Sequence, residues 1–115
     1  MSPRLRPAKR RAHEIVAVEH EGQHFRIGLG RDLVCVEHSL LGPVVEVWLN
    51  AEQVNSTMDV LASDGAILMS LLIQYGHPIE EIARSMKRNP DGSPASILGL
   101  AAAEVLRAQD RTNHG

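Results

Sequence analysis

The sequence predicts an α+β fold in which an antiparallel meander of three to four strands is packed on one face by a long buried helix and two further helices. Three observations support this prediction. Strand-like alternation fills the first half of the chain, helical periodicity fills the second half, and the two patterns do not alternate along the chain. The 115 residues suit one domain, placed at 13–109 between a flexible basic arm, 1–12, and a frayed tail, 110–115.

The first two strands are predicted around a turn at Gly22. Residues 15–18 are rich in β-formers, and apolar residues alternate with His24, Arg26 and Gly28 over 24–29. A glycine between two such segments is typical of a β-hairpin.

One or two further strands are predicted before the chain becomes helical. A short strand at Leu33–Val36 would follow a turn at Gly30–Asp32, and Gly42-Pro43 is interpreted as a chain break. The clearest strand is Val44–Leu49, where Val45, Val47 and Leu49 share one face. Glu46 and Trp48 would then lie on the other face.

The second half predicts three helices. Ser56 is a plausible N-cap for a long helix that ends at Gly76, and this helix is apolar almost all round, which is typical of a buried central helix. Pro78 opens a short second helix, and Ser96 caps a third helix after the loop at Asn89–Pro94.

Two features inside the long helix carry specific expectations. Gly65 is predicted to let the helix approach the sheet closely. Asp59 and Asp64 are interpreted as an exposed stripe, with an alternative in which Asp64 anchors the strand edge or an arginine.

Composition limits the classes of function. The single cysteine, Cys35, excludes an internal disulfide and a Cys-rich metal site, and it indicates a reducing, cytoplasmic environment. The longest apolar stretch, Ala66–Ile73, is interrupted by Ser70 and is much shorter than the ~18 residues of a membrane span, so no membrane association is expected. No signal-peptide pattern is present.

The order of segments resembles a known family. The segments are EVWLNAEQVNS (46–56), ASDGAILMSLLIQYGHPIEEIARSM (62–86) and DGSPASILGLAAAEVL (91–106), and EHEGQHFRIGLGR (19–31) is similar to an opening hairpin of short relatives. Together they resemble the TSCPD domain, found near the C-terminus of adenosylcobalamin-dependent ribonucleotide reductases and in short stand-alone proteins of bacteria and their prophages. The Thr-Ser-Cys-Pro-Asp string that names the family is absent, and residues 93–96 read Ser-Pro-Ala-Ser.

The resemblance implies a non-catalytic accessory or regulatory module that binds a protein partner, such as a reductase, or a second copy of itself as a homodimer. It does not imply reductase activity, because the chain has no room for the catalytic barrel and lacks the cysteine pairs. No cofactor is expected. A phage-derived inhibitor of a host system is a further alternative.

Candidate site residues fall into two groups. His20 and His24 flank the predicted turn and are weak metal candidates beside His13 and His38, although solvated histidines are the favoured interpretation. Cys35 is interpreted as a buried structural thiol. The candidate binding residues are Trp48, as an interface residue or a core residue, and the basic residues of the arm, Arg4, Arg6, Lys9, Arg10 and Arg11.

The basic arm supports an alternative function. The arm contains five basic residues and no acidic residue, whereas the remainder of the chain has seven basic and fourteen acidic residues. Such an arm could neutralise nucleic-acid phosphates with salt-dependent affinity, or it could bind an acidic protein surface. The acidic body and the absence of aromatic residues in the arm disfavour a dedicated nucleic-acid binder.

Overall fold

A computed structural model describes residues 11–35 and 40–114, with side chains described for 13–32 and 43–110. The described elements are β1 (Arg11–His20), β2 (Gln23–Cys35), β3 (Leu40–Ala51), α1 (Thr57–Gln74), α2 (Ile79–Ser85) and α3 (Ile97–His114). The strands form one antiparallel sheet in the order β1-β2-β3. The predicted α+β fold is confirmed, and a fourth strand is not seen among the described residues.

The predicted hairpin joins β1 to β2. Glu21 and Gly22 both have positive φ, 51° and 78°, which is the geometry of a two-residue hairpin turn matched to the twist of the strands. The register pairs Val18 with Phe25 and Ile15 with Gly28, so the alternation read from the sequence places Phe25, Ile27 and Leu29 on the buried face.

Two predicted breaks lie inside strands. The predicted turn at Gly30–Asp32 is part of β2, which continues to Cys35, and Gly42-Pro43 is part of β3. The prediction of a separate strand at Leu33–Val36 is therefore wrong for residues 33–35, which belong to β2. Val36 lies outside the described residues. The pairing register between β2 and β3 shifts between Gly30 and Cys35. Glycine and polar residues in a strand can mark such an irregular ladder as well as a turn.

Arg31 explains why this irregular stretch stays in the sheet. Its side chain is only 1% exposed, and it donates from Nε to Oε1 of Glu14 on β1 and from Nη2 to the carbonyl of Ala108 on α3, both at 2.7 Å. A buried guanidinium is tolerated when its donors are satisfied in this way. Arg31 thus ties α3 to two strands.

The core lies between the inner sheet face and the helices. Its sheet side is built from aliphatic residues and one aromatic residue, and its helix side is mostly small residues from α1 and α3, which let the backbones approach. The most completely buried members are Ile27, Leu29, Ala101, Ala102, Val105 and Ala108.

Helix α1 covers the free edge of β3. Odd-numbered residues of β3 direct their backbone N–H and C=O groups away from β2, and polar side chains of α1 bind them. Ser70 Oγ accepts the N–H of Val47 at 2.8 Å, and the side-chain amide of Gln74 donates to Val45 O at 2.8 Å. An edge that would otherwise be open for strand addition is thereby closed by a helix.

The N-terminal end of α1 continues this pattern. Asp59 accepts the N–H of Ala51 at 2.9 Å and that of Asn55 at 2.8 Å, and the backbone N–H of Asp59 donates to Oγ of its N-cap, Ser56. The N–H group of Ala51, with that of Asn55, holds the pKa of Asp59 below its usual value. The carboxylate at the strand edge is therefore Asp59, while Asp64 is exposed.

Gly65 does not contact the sheet as predicted. A Cβ built there would lie 2.5 Å from both methyl carbons of Leu98, so the close approach is between α1 and the first turn of α3. The missing side chain lets the two helices, rather than a helix and the sheet, come together.

Candidate interaction surface

The side of α1 that faces away from the sheet is apolar and uncovered. We define the outer face of α1 as Val60, Leu61, Asp64, Ile67, Leu68, Leu71, Leu72 and the C-cap residue Tyr75. Leu61 and Leu68 are 61% and 62% exposed, and Leu71 is half-buried. The prediction of a helix buried all round is therefore wrong, because the sheet edge and α3 cover only the other side.

The face exposes an unusual number of large apolar side chains for one helix. Its exposed members are between 38% and 62% exposed, and they are Val60, Leu61, Ile67, Leu68, Leu72 and Tyr75. Large exposed apolar patches commonly mark interaction sites. A surface helix normally turns its polar side to water and its apolar side to the core. In α1 much of the polar content is committed to β3, and the leucines and isoleucine face outward.

Helix α1 is also long and apolar enough to cross a membrane by length and composition alone, with a mean hydropathy of 1.3 over 18 residues. Core helices of soluble proteins pass the same test. Here Asp59, Ser70 and Gln74 project from the helix to bind the backbone of β3. Those contacts favour a helix that packs against protein on at least one side.

A second, smaller apolar area lies on the outer face of the sheet. Trp48 points outward, as predicted, and packs over two glycines of β2: a Cβ at Gly28 would lie 2.9 Å from Trp48 Cε3, and one at Gly30 would lie 3.1 Å from Cη2. The rings of Trp48 and His13 are 5.3 Å apart, and Ile15 beside them is 73% exposed. Trp48 is thus neither a core residue nor fully free, since its own sheet covers 60% of it.

The two metal candidates are separated by the sheet. Strand alternation puts His20 on the same face as Val18, whereas His24 lies on the face of Arg26 and Trp48. Nε2 of His20 lies 3.9 Å from Oε1 of Glu21, its sequence neighbour. Within the described residues no group of three potential ligands is close enough to hold a metal ion, and His38 lies outside them. The geometry gives no support to a site at His20 and His24.

An open groove of about 870 Å³ lies at the hairpin end of the sheet. Charged side chains of both signs line it, among them Glu19, Arg26 and Glu52, together with the imidazole of His24. Its most buried carboxylate is Asp59, which already accepts two backbone hydrogen bonds and has a lowered pKa. A carboxylate held in this state is a poor general acid at neutral pH and a weak general base.

The basic arm lies almost wholly outside the described residues. The side chains of Arg4, Arg6, Lys9, Arg10 and Arg11 are all outside them, and only the backbone of Arg11 is described, as the first residue of β1. Cys35 is likewise described only by its backbone, at the end of β2. The predictions for the arm and for the thiol stay predictions.

The sequence predicted that the apolar residues of the outer face would be buried in the core, whereas Asp64 was expected to be exposed and is. The signal that could have corrected this was the set of polar residues at 59, 63, 70 and 74, which fall on one side of a helix and leave the opposite side apolar. No family model, curated protein or solved structure matches this chain. The resemblance to the TSCPD domain therefore rests on the quoted segments alone.

Proposed function

We propose that this chain is a non-catalytic, cytoplasmic accessory or regulatory module that works by binding protein, the role implied by its resemblance to the TSCPD domain. The outer face of α1 is the binding surface. The observation that carries the proposal is the uncovered apolar area around Leu61 and Leu68.

The shape of this surface favours a protein over a small molecule. Small-molecule sites are concave and enclose most of the ligand, whereas the outer face of α1 is the exposed side of a helix. Its apolar centre and single acid, Asp64, match the apolar core of a protein–protein interface, which is depleted in charge. A helix laid along this face would bury the leucines in the way that helices pack against each other.

A position-specific cross-link tests the proposal. A photoreactive amino acid is placed at Leu68, or at Asp91 in the exposed loop between α2 and α3 as a control, and the full chain is irradiated in its native cells. We expect a discrete protein adduct from position 68 that is lost when Leu72→Lys is added to the same chain. No adduct at 68, or equal adducts at 68 and 91, would overturn the proposal.

A further inference from the structure

We infer that the outer face of α1 binds the same face of a second copy, so that two α1 helices pack antiparallel across a two-fold axis. This inference rests on the proposed function and deepens it by naming the partner. The inference rests on the pattern of residues along α1, on the one charge on the face and on the exposure of the apolar residues that the pairing would cover.

The central line of the face is symmetric about its midpoint. Asp64, Leu68, Leu71 and Tyr75 follow one another at intervals of four, three and four residues, which keeps them in line along one side of a helix. The midpoint lies between Met69 and Ser70. An antiparallel pair centred there places Leu68 of one copy against Leu71 of the other, and Asp64 against Tyr75.

The flanks obey the same symmetry. Ile67 and Leu72 are equally distant from the midpoint, so each meets the other residue across the axis, and both are exposed. A two-fold contact requires the same patch to be complementary to itself. The pairs Leu68–Leu71 and Ile67–Leu72 meet this requirement with apolar residues facing apolar residues.

The charge on the face selects the antiparallel arrangement. Among the described residues of α1, Asp64 is the one charged residue of the outer face. Parallel helices in register would bring the two Asp64 carboxylates together, which is unfavourable, whereas the antiparallel pair places each beside a tyrosine hydroxyl that can donate a hydrogen bond. A different protein would have to supply its own donor or cation at that point.

The proposed register brings together the C-terminal part of the face. Centred between Met69 and Ser70, it places residues 64–75 of one copy against the same segment of the other, and Val60 and Leu61 lie beyond the overlap. The two most exposed residues inside the overlap are Leu68, 62% exposed, and Ile67, 56% exposed. The polar side of α1 would keep its contacts with β3, so the fold of each copy need not change.

Sedimentation of the full chain over a concentration series tests the association. We expect the wild type to form a dimer of twice 12.6 kDa, and Leu68→Lys to weaken the dimer about tenfold or more. Ile15→Lys is the matched control, because it changes an equally exposed apolar residue on the sheet and lysine is tolerated on edge strands. Circular dichroism verifies that both variants are folded.

Three results would overturn the inference. The first is a wild-type chain that stays monomeric up to about 100 µM, a concentration at which even weak specific dimers form. The second is a dimer that Ile15→Lys disrupts and Leu68→Lys does not. The third is a cross-link from position 68 to a different protein with none to a second copy, which would leave the proposed function standing.

Disulfide trapping tests the register. In a Cys35→Ser background, Asp64→Cys protein is mixed with Tyr75→Cys protein and oxidised under mild conditions. We expect the cross-linked dimer in the mixture and little in either protein alone, because only the 64–75 pair approaches within disulfide reach. Efficient cross-linking of Asp64→Cys with itself would contradict the antiparallel register.

Discussion

Replacing Ser70 by alanine tests whether α1 closes the edge of the sheet. Ser70 is buried on the side of α1 that faces β3, and its hydroxyl accepts the N–H of Val47 at 2.8 Å. The hydroxyl hydrogen has two acceptors within reach, Val47 O at 3.1 Å and Ala66 O at 2.9 Å. Alanine would leave the N–H of Val47 without this acceptor in a place that water does not reach.

The size of the effect follows from two opposing contributions. A buried backbone donor that loses its acceptor costs about 1–3 kcal/mol. Alanine recovers roughly 0.5 kcal/mol through its higher helix propensity. We therefore expect Ser70→Ala to lower the free energy of unfolding by about 1–2 kcal/mol, or several degrees in Tm for a domain of this size.

Urea unfolding measures this change, with circular dichroism reporting the helices and the fluorescence of Trp48 reporting the sheet. Protein concentration must be held constant, because association would add to the apparent stability. Ser85→Ala is the matched control: its hydroxyl donates to Glu81 O within α2 and is exposed, so little change is expected. If Ser70→Ala is as stable as the wild type, α1 does not hold the edge of β3 through this contact.

Two further substitutions test other anchors. Asp59→Asn should destabilise the fold most at neutral pH. The pKa of Asp59 is lower in the folded protein than in the unfolded chain, so the ionised carboxylate stabilises the fold above the unfolded pKa of about 3.8–3.9. This stabilisation is lost as the pH falls through the folded pKa. Urea unfolding of wild type and variant should therefore converge below about pH 4, and a constant difference down to pH 2 would contradict this reasoning. Arg31→Met should cost about 2 kcal/mol, since methionine fills the space but cannot donate to Glu14 or Ala108; an unchanged urea midpoint would show that the buried guanidinium contributes nothing.

Local patterns predicted the parts of the fold that depend on neighbours in sequence. Gly22 marks the hairpin turn because only a few residue types accept its positive φ, and alternation along β3 places Trp48 on the outer face. Arg31 shows the limit of such patterns. A glycine–arginine–aspartate run looks like a turn, but here it pairs with β1, and Arg31 adds contacts with Glu14 and Ala108 that no local pattern reveals.

The environment of α1 is harder to predict, because apolar residues lie on every side of the helix. Apolar residues all round a helix predict burial, but a sheet of three described strands and one packed helix cover only one side of it. Asp59 and Asp64 are five residues apart, so they lie about 140° apart around the helix axis. Which of the two carboxylates faces the strand edge therefore depends on the rotation of the helix about its axis. The polar residues at 59, 63, 70 and 74 share one side of the helix and indicate that rotation, but their backbone partners on β3 are defined only by the fold.

The rotation of α1 leaves its outer face apolar and exposed, and the proposed partner is inferred from that exposure. The fold of one copy uses the polar side chains of α1 to satisfy β3, and Ala62, Ala66 and Met69 to fill the core. A lysine or glutamate at position 68 would meet those needs equally well and would suit water better. Leu68 is 62% exposed in the isolated chain, so stability of one copy does not account for it, whereas the contact that we propose with another apolar helix would.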